Sequence, residues 1–265
     1  MKRDVSARIV LSITQPADLV FAIAVADTHR PFDDSFTATL DGTPVEVHEA
    51  ADLHGTRLHR LAPGTGELVV EYSASLSESA QPEAASEGDL LTYLRPSRYA
   101  ESDSLLPTAA AEFAGIAPGA ELLASVSSWV GTRLRYVSGS SLPTDGAVRT
   151  LLNREGVCRD YSHLCVAFLR ALGIPSRLVA VYAPGLYPMD FHAVAEAWVD
   201  NRWCVVDATT LAPRESLVRI ATGRDAADTA FLNVLSGRAD LIQTNVSAVV
   251  DVLPADDLTR LVSLA

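Results

Sequence analysis

Cys158, His192 and Asp207 are a thiol, an imidazole and a carboxylate, spaced 34 (192 − 158) and 15 (207 − 192) residues apart. Brought together, such groups make a nucleophilic triad. The thiolate attacks an acyl carbon, the imidazole carries the proton from nucleophile to leaving group, and the carboxylate fixes the imidazole tautomer and steadies its cation. Singly, each has a plainer use: a cysteine fills a core, a histidine sits on a surface, and an aspartate at the end of a strand forms a turn. What distinguishes the cases is whether the elements around them converge.

The stretch REGVCRDYSHLCVAFLRALGIPSR, residues 154–177, reads as a helix. Val157, Tyr161, Leu164, Cys165, Phe168 and Leu172 recur at helical offsets and form one apolar stripe, while Gly173 and Pro175 supply the stop. Cys165 lies on that stripe. Cys158 lies in the first turn, where unpaired N–H groups and the positive end of the helix dipole favour a thiolate. Further on, FHAVAEAWVDNRWCVVDAT (191–209) reads as two strands around Asp200-Asn201, residues that tolerate positive φ, so a two-residue hairpin is expected. That loop sets Val199 opposite Arg202 and position 194 opposite 207. His192 then becomes a diagonal neighbour of Asp207, at roughly 7–8 Å between backbones, a gap that side chains bridge. Cys204 falls on the other face of its strand.

These segments together resemble the bacterial transglutaminase-like superfamily. The resemblance rests on a G-x-C-x-D helix start (Gly156, Cys158, Asp160), a strand opening with His192, a tryptophan near the hairpin, and a strand ending in Asp207-x-Thr209. It covers roughly residues 95–235, and the preceding β-rich region with LTYLRPSRYAES (91–102) is similar to the amino-terminal part that accompanies many bacterial members. The resemblance implies Cys158 as nucleophile, His192 as general base and acid, and Asp207 as the orienting carboxylate. It also implies an α+β, papain-like core in which the cysteine helix packs on an antiparallel sheet. An oxyanion needs donors as well: the Cys158 backbone N–H is one candidate, and Tyr136 or Trp129 is a candidate for a second.

The whole chain allows this reading. Its 265 residues, 48% hydrophobic and 20% charged, suffice for one large domain or two modest ones. A net charge of −12 argues against nucleic acid and anionic membrane as partners. No apolar run reaches the ~20 residues that a membrane helix needs. Lys2 and Arg3 precede an apolar stretch ending in Ala24-Val25-Ala26, superficially like a secretory cleavage site. Alternation at Val5, Ala7, Ile9, Leu11 and Ile13 reads instead as a strand. With an odd number of cysteines that match no disulfide framework, reduced thiols and the cytoplasm are expected.

Runs such as SARIVLSIT, SFTATL, TPVEVHEA and GELVVEYSASL, with turn signals at Asp41-Gly42 and Pro63-Gly64, predict an antiparallel β region. Residues 77–89 read as a linker, giving an amino-terminal β domain over 1–95 and a transglutaminase-like catalytic domain over 96–265. Helical patterns follow at 119–134 and 146–173, and β-rich runs at 177–183, 192–199 and 202–209. His163 points away from the thiol and reads as a supporting or surface group. Arg159 and Asp160 read as an exposed charge pair in preference to a role in positioning substrate or a loop, and His29, His48, His54 and His59 read as surface residues. Compact zinc spacing and an EF-hand loop are both missing from the sequence, so no metal and no cofactor is expected.

The expected activity is acyl transfer on peptide or glutamine-type amide bonds through a thioester, most simply as a cysteine protease or amidase. Two alternatives stand beside it: a cross-linking transglutaminase, and a binding or assembly module whose triad is vestigial. The stretch APGLYPMDF (183–191) is placed to line the rim of a cleft.

Overall fold

The computed structural model describes residues 1–29, 32–77, 80 and 83–264. The linker expected over 77–89 thus lies partly outside the described residues, at 78, 79, 81 and 82. The chain opens with six strands: β1 (Arg3–Phe21), β2 (Asp33–Leu40), β3 (Thr43–Pro44), β4 (His48–Ala51), β5 (Arg57–Leu61) and β6 (Gly66–Leu76). Three helices follow, α1 (Glu87–Thr92), α2 (Ser102–Glu112) and α3 (Ala120–Arg133), then the two-residue strand β7 (Arg135–Tyr136), α4 (Ala147–Asn153), the two-residue strand β8 (Glu155–Gly156) and α5 (Cys158–Ala171). Strands β9 (Ser176–Tyr182), β10 (Phe191–Val199), β11 (Arg202–Val206) and β12 (Val218–Gly223) precede a short α6 (Ala226–Thr229) and a long β13 (Leu232–Val250).

The first sheet follows from period-two patterning. Val5, Ala7, Ile9, Leu11 and Ile13 of β1 are each no more than 3% exposed, and they pack with Leu68, Val70 and Tyr72 of β6. Asp41 and Gly42, both at positive φ, close the tight β2–β3 turn. The strand order is β3-β2-β6-β1-β5-β4, and β1 takes a further antiparallel partner, β13, from Arg3↔Val250 to Phe21↔Leu232. The sheet of the amino-terminal region therefore contains a strand from residues 232–250.

The second sheet is antiparallel, β11-β10-β9-β12. Its inner strands are buried on both faces. Ala195, Ala197, Cys204 and Val206 meet Leu164, Cys165 and Phe168 of α5, while Val179, Val181, Val194 and Val205 pack with Leu217 and Leu264. Tyr182, Val218, Ile220 and Ala221 join the core of the first sheet. Charge also ties the second sheet to the segment before α1 and to the turn between β4 and β5. Arg177 of β9, 0% exposed, contacts Glu196 of β10 and Glu83 at 2.7 and 2.5 Å, and its guanidinium lies 4.0 Å from the centre of the Trp203 ring. His54 completes this junction, bonded to Glu83 and to the Tyr93 hydroxyl.

Three of the four amino-terminal histidines differ from the surface placement expected of them. His29 is 2% exposed and accepts the Arg219 backbone N–H at 3.1 Å, and burial drives its pKa down to about 3. His59 is buried and stacked on Phe36 with ring centroids 3.9 Å apart, and His54 is partly buried at the junction. Only His48 is exposed. His59 sits at an inward position of β5, where the opposing layer covers a ring whatever its polarity, whereas His29 and His54 lie in short helical turns outside the strands, His29 against the Arg219 backbone and His54 against Glu83 and Tyr93.

Candidate active site

Helix α5 begins at Cys158, with Val157 as its N-cap. Valine has no acceptor to offer, so the cap is supplied from inside the helix: Asp160 accepts the Val157 backbone N–H at 2.8 Å. The other Asp160 oxygen accepts from the Ser141 hydroxyl at 3.0 Å, and the Arg159 guanidinium donates to that hydroxyl at 2.6 Å and to the Leu142 carbonyl. Arg159 and Asp160 are therefore not the exposed charge pair expected. Asp160 is 1% exposed, because the helix start sits beneath the loop that carries Ser141. Gly156 leaves no room for a side chain there, since a Cβ would come within 2.7 Å of the Asp160 Cβ. One turn along α5, Ser162 Oγ lies 2.9 Å from the Cys158 carbonyl and 2.8 Å from the Ala193 carbonyl, and it ties the cysteine turn to the residue after His192.

The hairpin register is the expected one. Val199 pairs with Arg202 and Ala195 with Val206, and Asp200 and Asn201 have φ of 52° and 57°. Across it, His192 Nε2 lies 2.9 Å from Asp207 Oδ2. Both residues are buried, at 2% and 3% exposure. Thr209 donates its backbone N–H and hydroxyl to Asp207 Oδ1, at 2.9 and 2.7 Å, which leaves Oδ2 for the imidazole. Burial opposes a charge on His192, but the Asp207 carboxylate outweighs it and Cys158 adds to the effect, so the imidazole pKa is pushed up to about 10. Burial likewise opposes the Asp207 charge; His192 and Thr209 overcome it and hold the carboxyl below its ordinary value. Among the described residues His192 Nδ1 has no hydrogen-bond partner, while the Cys158 thiol is close enough to favour the protonated ring. Cys158 itself is a partly exposed free thiol, in contrast to the buried Cys165 and Cys204.

Of the two aromatic candidates, one is near the thiol. Strands β7 and β8 pair in parallel, Tyr136↔Gly156. That bridge sets Tyr136, 46% exposed, beside the turn that carries Cys158, and partial burial and the nearby thiol raise the phenol's pKa. Trp129 is elsewhere. It packs edge-on against Phe168 with ring centroids 5.1 Å apart, ten residues (168 − 158) or ~15 Å along α5 from Cys158, and its indole N–H donates to Glu112 at 2.7 Å. Its ring is needed to close the apolar seam between α3 and α5. His163 is fully buried rather than a surface group. It stacks on Tyr99 and accepts the Ala226 N–H at 3.1 Å, and burial lowers its pKa to about 3.

The thiol opens into a cleft of about 600 Å³ shared by Cys158, His192, Tyr99 and Asp190 on one side and by Phe231, Leu241 and their neighbours on the other. Asp190, from the stretch read as a cleft rim, does line it, while Tyr187 of the same stretch is 91% exposed. A larger groove of about 750 Å³ over α2 and α3 holds none of the three reactive groups. Sequence reasoning did not single out Ser162, Ser141 or Asp190. The signal for Ser162 was its position four residues after Cys158, where a hydroxyl meets the carbonyl one turn back.

The family model of the transglutaminase-like superfamily matches residues 107–208, a span that contains Cys158, His192 and Asp207. The solved structure of a proposed cysteine protease from Cytophaga hutchinsonii is similar over nearly the whole fold, with a TM-score of 0.89 and 32% identity, covering 98% of this chain and 96% of that one. An uncharacterized protein of Mycobacterium tuberculosis is 29% identical over 230 residues, 72% of either chain. One of Mycobacterium leprae is 25% identical over 171 residues, 60% of this chain, and the match spans 59% of that relative's length.

Proposed function

The chain belongs to the transglutaminase-like superfamily, and on that premise we propose that it is a thiol-dependent acyl-transfer enzyme that hydrolyses peptide or related amide bonds. The observation that carries the reading is the convergence of Cys158, at a helix N-terminus and open to a cleft, with an imidazole held at Nε2 by Asp207 2.9 Å away.

The chemistry runs in two halves. Cys158 Sγ, as thiolate beside the imidazolium of His192, adds to the amide carbon. The oxygen that gains the charge is met by the Cys158 backbone N–H and the Tyr136 hydroxyl. As the C–N bond breaks, His192 gives its proton to the departing nitrogen, and an amine and a thioester result. A water molecule, deprotonated by His192, then attacks the thioester; the acid leaves and the thiol is restored. Asp207 supports both proton transfers by stabilising the cationic ring, and Thr209 keeps it in place. The likeness to a proposed cysteine protease supports water rather than a second amine as acceptor. Three free thiols suit a reducing compartment, in keeping with the cytoplasm.

The test is the pH profile of iodoacetamide alkylation at Cys158, read by peptide mass mapping, in the wild type and in His192→Ala. Fast labelling near pH 6 that collapses in the variant is the expected result. Labelling no faster than that of a free thiol, and unchanged by the substitution, overturns the enzyme reading in favour of a binding module.

A further inference from the structure

Strand β13 reaches the cleft by way of an irregularity. Along its pairing with β1, Ile9 faces Thr244 and Val10 faces Gln243, but Leu11 faces Leu241, so Ile242 is an extra residue. A bulge of this kind re-aims the side chains that flank it. Here Thr244 and Leu241, three residues apart, both stand opposite inward residues of β1, which regular alternation does not allow. Both line the same cleft as Cys158 and His192. Ile242 is turned out, at 64% exposure, and Leu241 is left 49% exposed although it faces the cleft.

The rest of the lining agrees in character. Phe191 and Phe231, stacked with centroids 5.3 Å apart, and Leu232 continue an apolar surface. Beside the His192–Cys158 pair, the charged residues lining the cleft among the described residues are Arg159 and Asp190, one of each sign, which gives it no net preference despite the chain's −12. Among the described residues β13 pairs with β1 and carries no second strand, so an extended chain can lie along it.

We propose that β13 forms the specificity wall of the cleft, and that the cleft takes an extended, uncharged peptide whose large apolar side chain packs on Leu241 and the Phe191–Phe231 pair next to the amide presented to Cys158. This rests on the acyl-transfer reading for the role of Cys158, but the recognition is testable without chemistry. The full-length Cys158→Ala protein is titrated with two fluorescein-labelled hexapeptides that differ only in Leu or Asp at one central position, and binding is followed by fluorescence anisotropy.

The Leu peptide is expected to bind about tenfold tighter, the order set by burying one aliphatic side chain. Adding Leu241→Glu removes the preference, and Leu241→Lys turns it towards the Asp peptide; because residue 241 is half-exposed, both variants keep the parent's unfolding temperature. Equal affinities, no binding of either peptide, or a preference that survives Leu241→Glu overturns the proposal. The alkylation profile is read separately. A selective cleft with an inert thiol refutes the enzyme and keeps the wall, whereas a reactive thiol with no selectivity refutes the wall alone.

Discussion

Asp207 affects His192 in two ways that can be separated. It orients the ring through a 2.9 Å contact, and its charge lifts the imidazole pKa to about 10 against the burial that would lower it. Asp207→Asn keeps the shape and removes the charge, so the alkaline limb of kcat/KM, expected near pH 10 in the wild type, moves to lower pH, and the rate falls on the order of 10²–10⁴-fold. The same pair has a stability signature. His192 has a raised folded pKa, so its contribution is complete below the ordinary imidazole value of ~6.5 and is lost as pH rises through about 10. Asp207, lowered, contributes above the ordinary carboxylate range and loses its contribution as pH falls through its folded value. Thermal unfolding should therefore show a gap between wild type and Asp207→Asn that narrows on the alkaline side. Tyr136→Phe is a different case. In the proposed mechanism it removes one donor to the oxyanion, so kcat should drop about 10²-fold with little change in KM, as measured with any peptide the wild type turns over. Residue type and hairpin register offered Cys158, His192 and Asp207 as candidates, and the structure sets His192 against Asp207 as that register expects. The sequence left Tyr136 and Trp129 undecided, because which of two aromatics lies near the thiol depends on a two-residue strand pairing that leaves no periodic trace.

At the scale of elements, the pattern read as helical over 146–173 is two helices. Arg154, in the left-handed region at φ 59°, ends α4, and β8 pairs with β7 before α5 begins. Hydrophobic spacing continues through this break and so hides it; the one local sign was Gly156, whose missing side chain admits Asp160. Gly156→Ala is expected to cost about 1–3 kcal/mol by overpacking, seen in chemical denaturation. It should also slow Cys158 alkylation, since the strained cap and the nucleophile share one turn. The hairpin and the core strand β9 were more readily legible, because a two-residue loop and an unbroken apolar run each admit few alternatives.

Across the whole molecule, the least legible feature was β13. Its residues alternate weakly, are mostly exposed and carry a bulge, so nothing local marks them as the partner of β1. The odd positions of β1 lie under this pairing, and a chain shortened to end before residue 232 should lack a cooperative thermal transition and bind a hydrophobic dye, because that edge of β1 stays open. The pairing also sets an order of events during translation. Arg3 and Val250 are partners 247 residues apart (250 − 3), so β1 leaves the ribosome on the order of ten to fifty seconds before the strand that covers it. The helix bearing Cys158 and the hairpin bearing His192 are both made within that interval. The β13 side of the cleft is thus made after both, and a nascent chain leaves its Cys158 thiol open to small reagents until that side is in place.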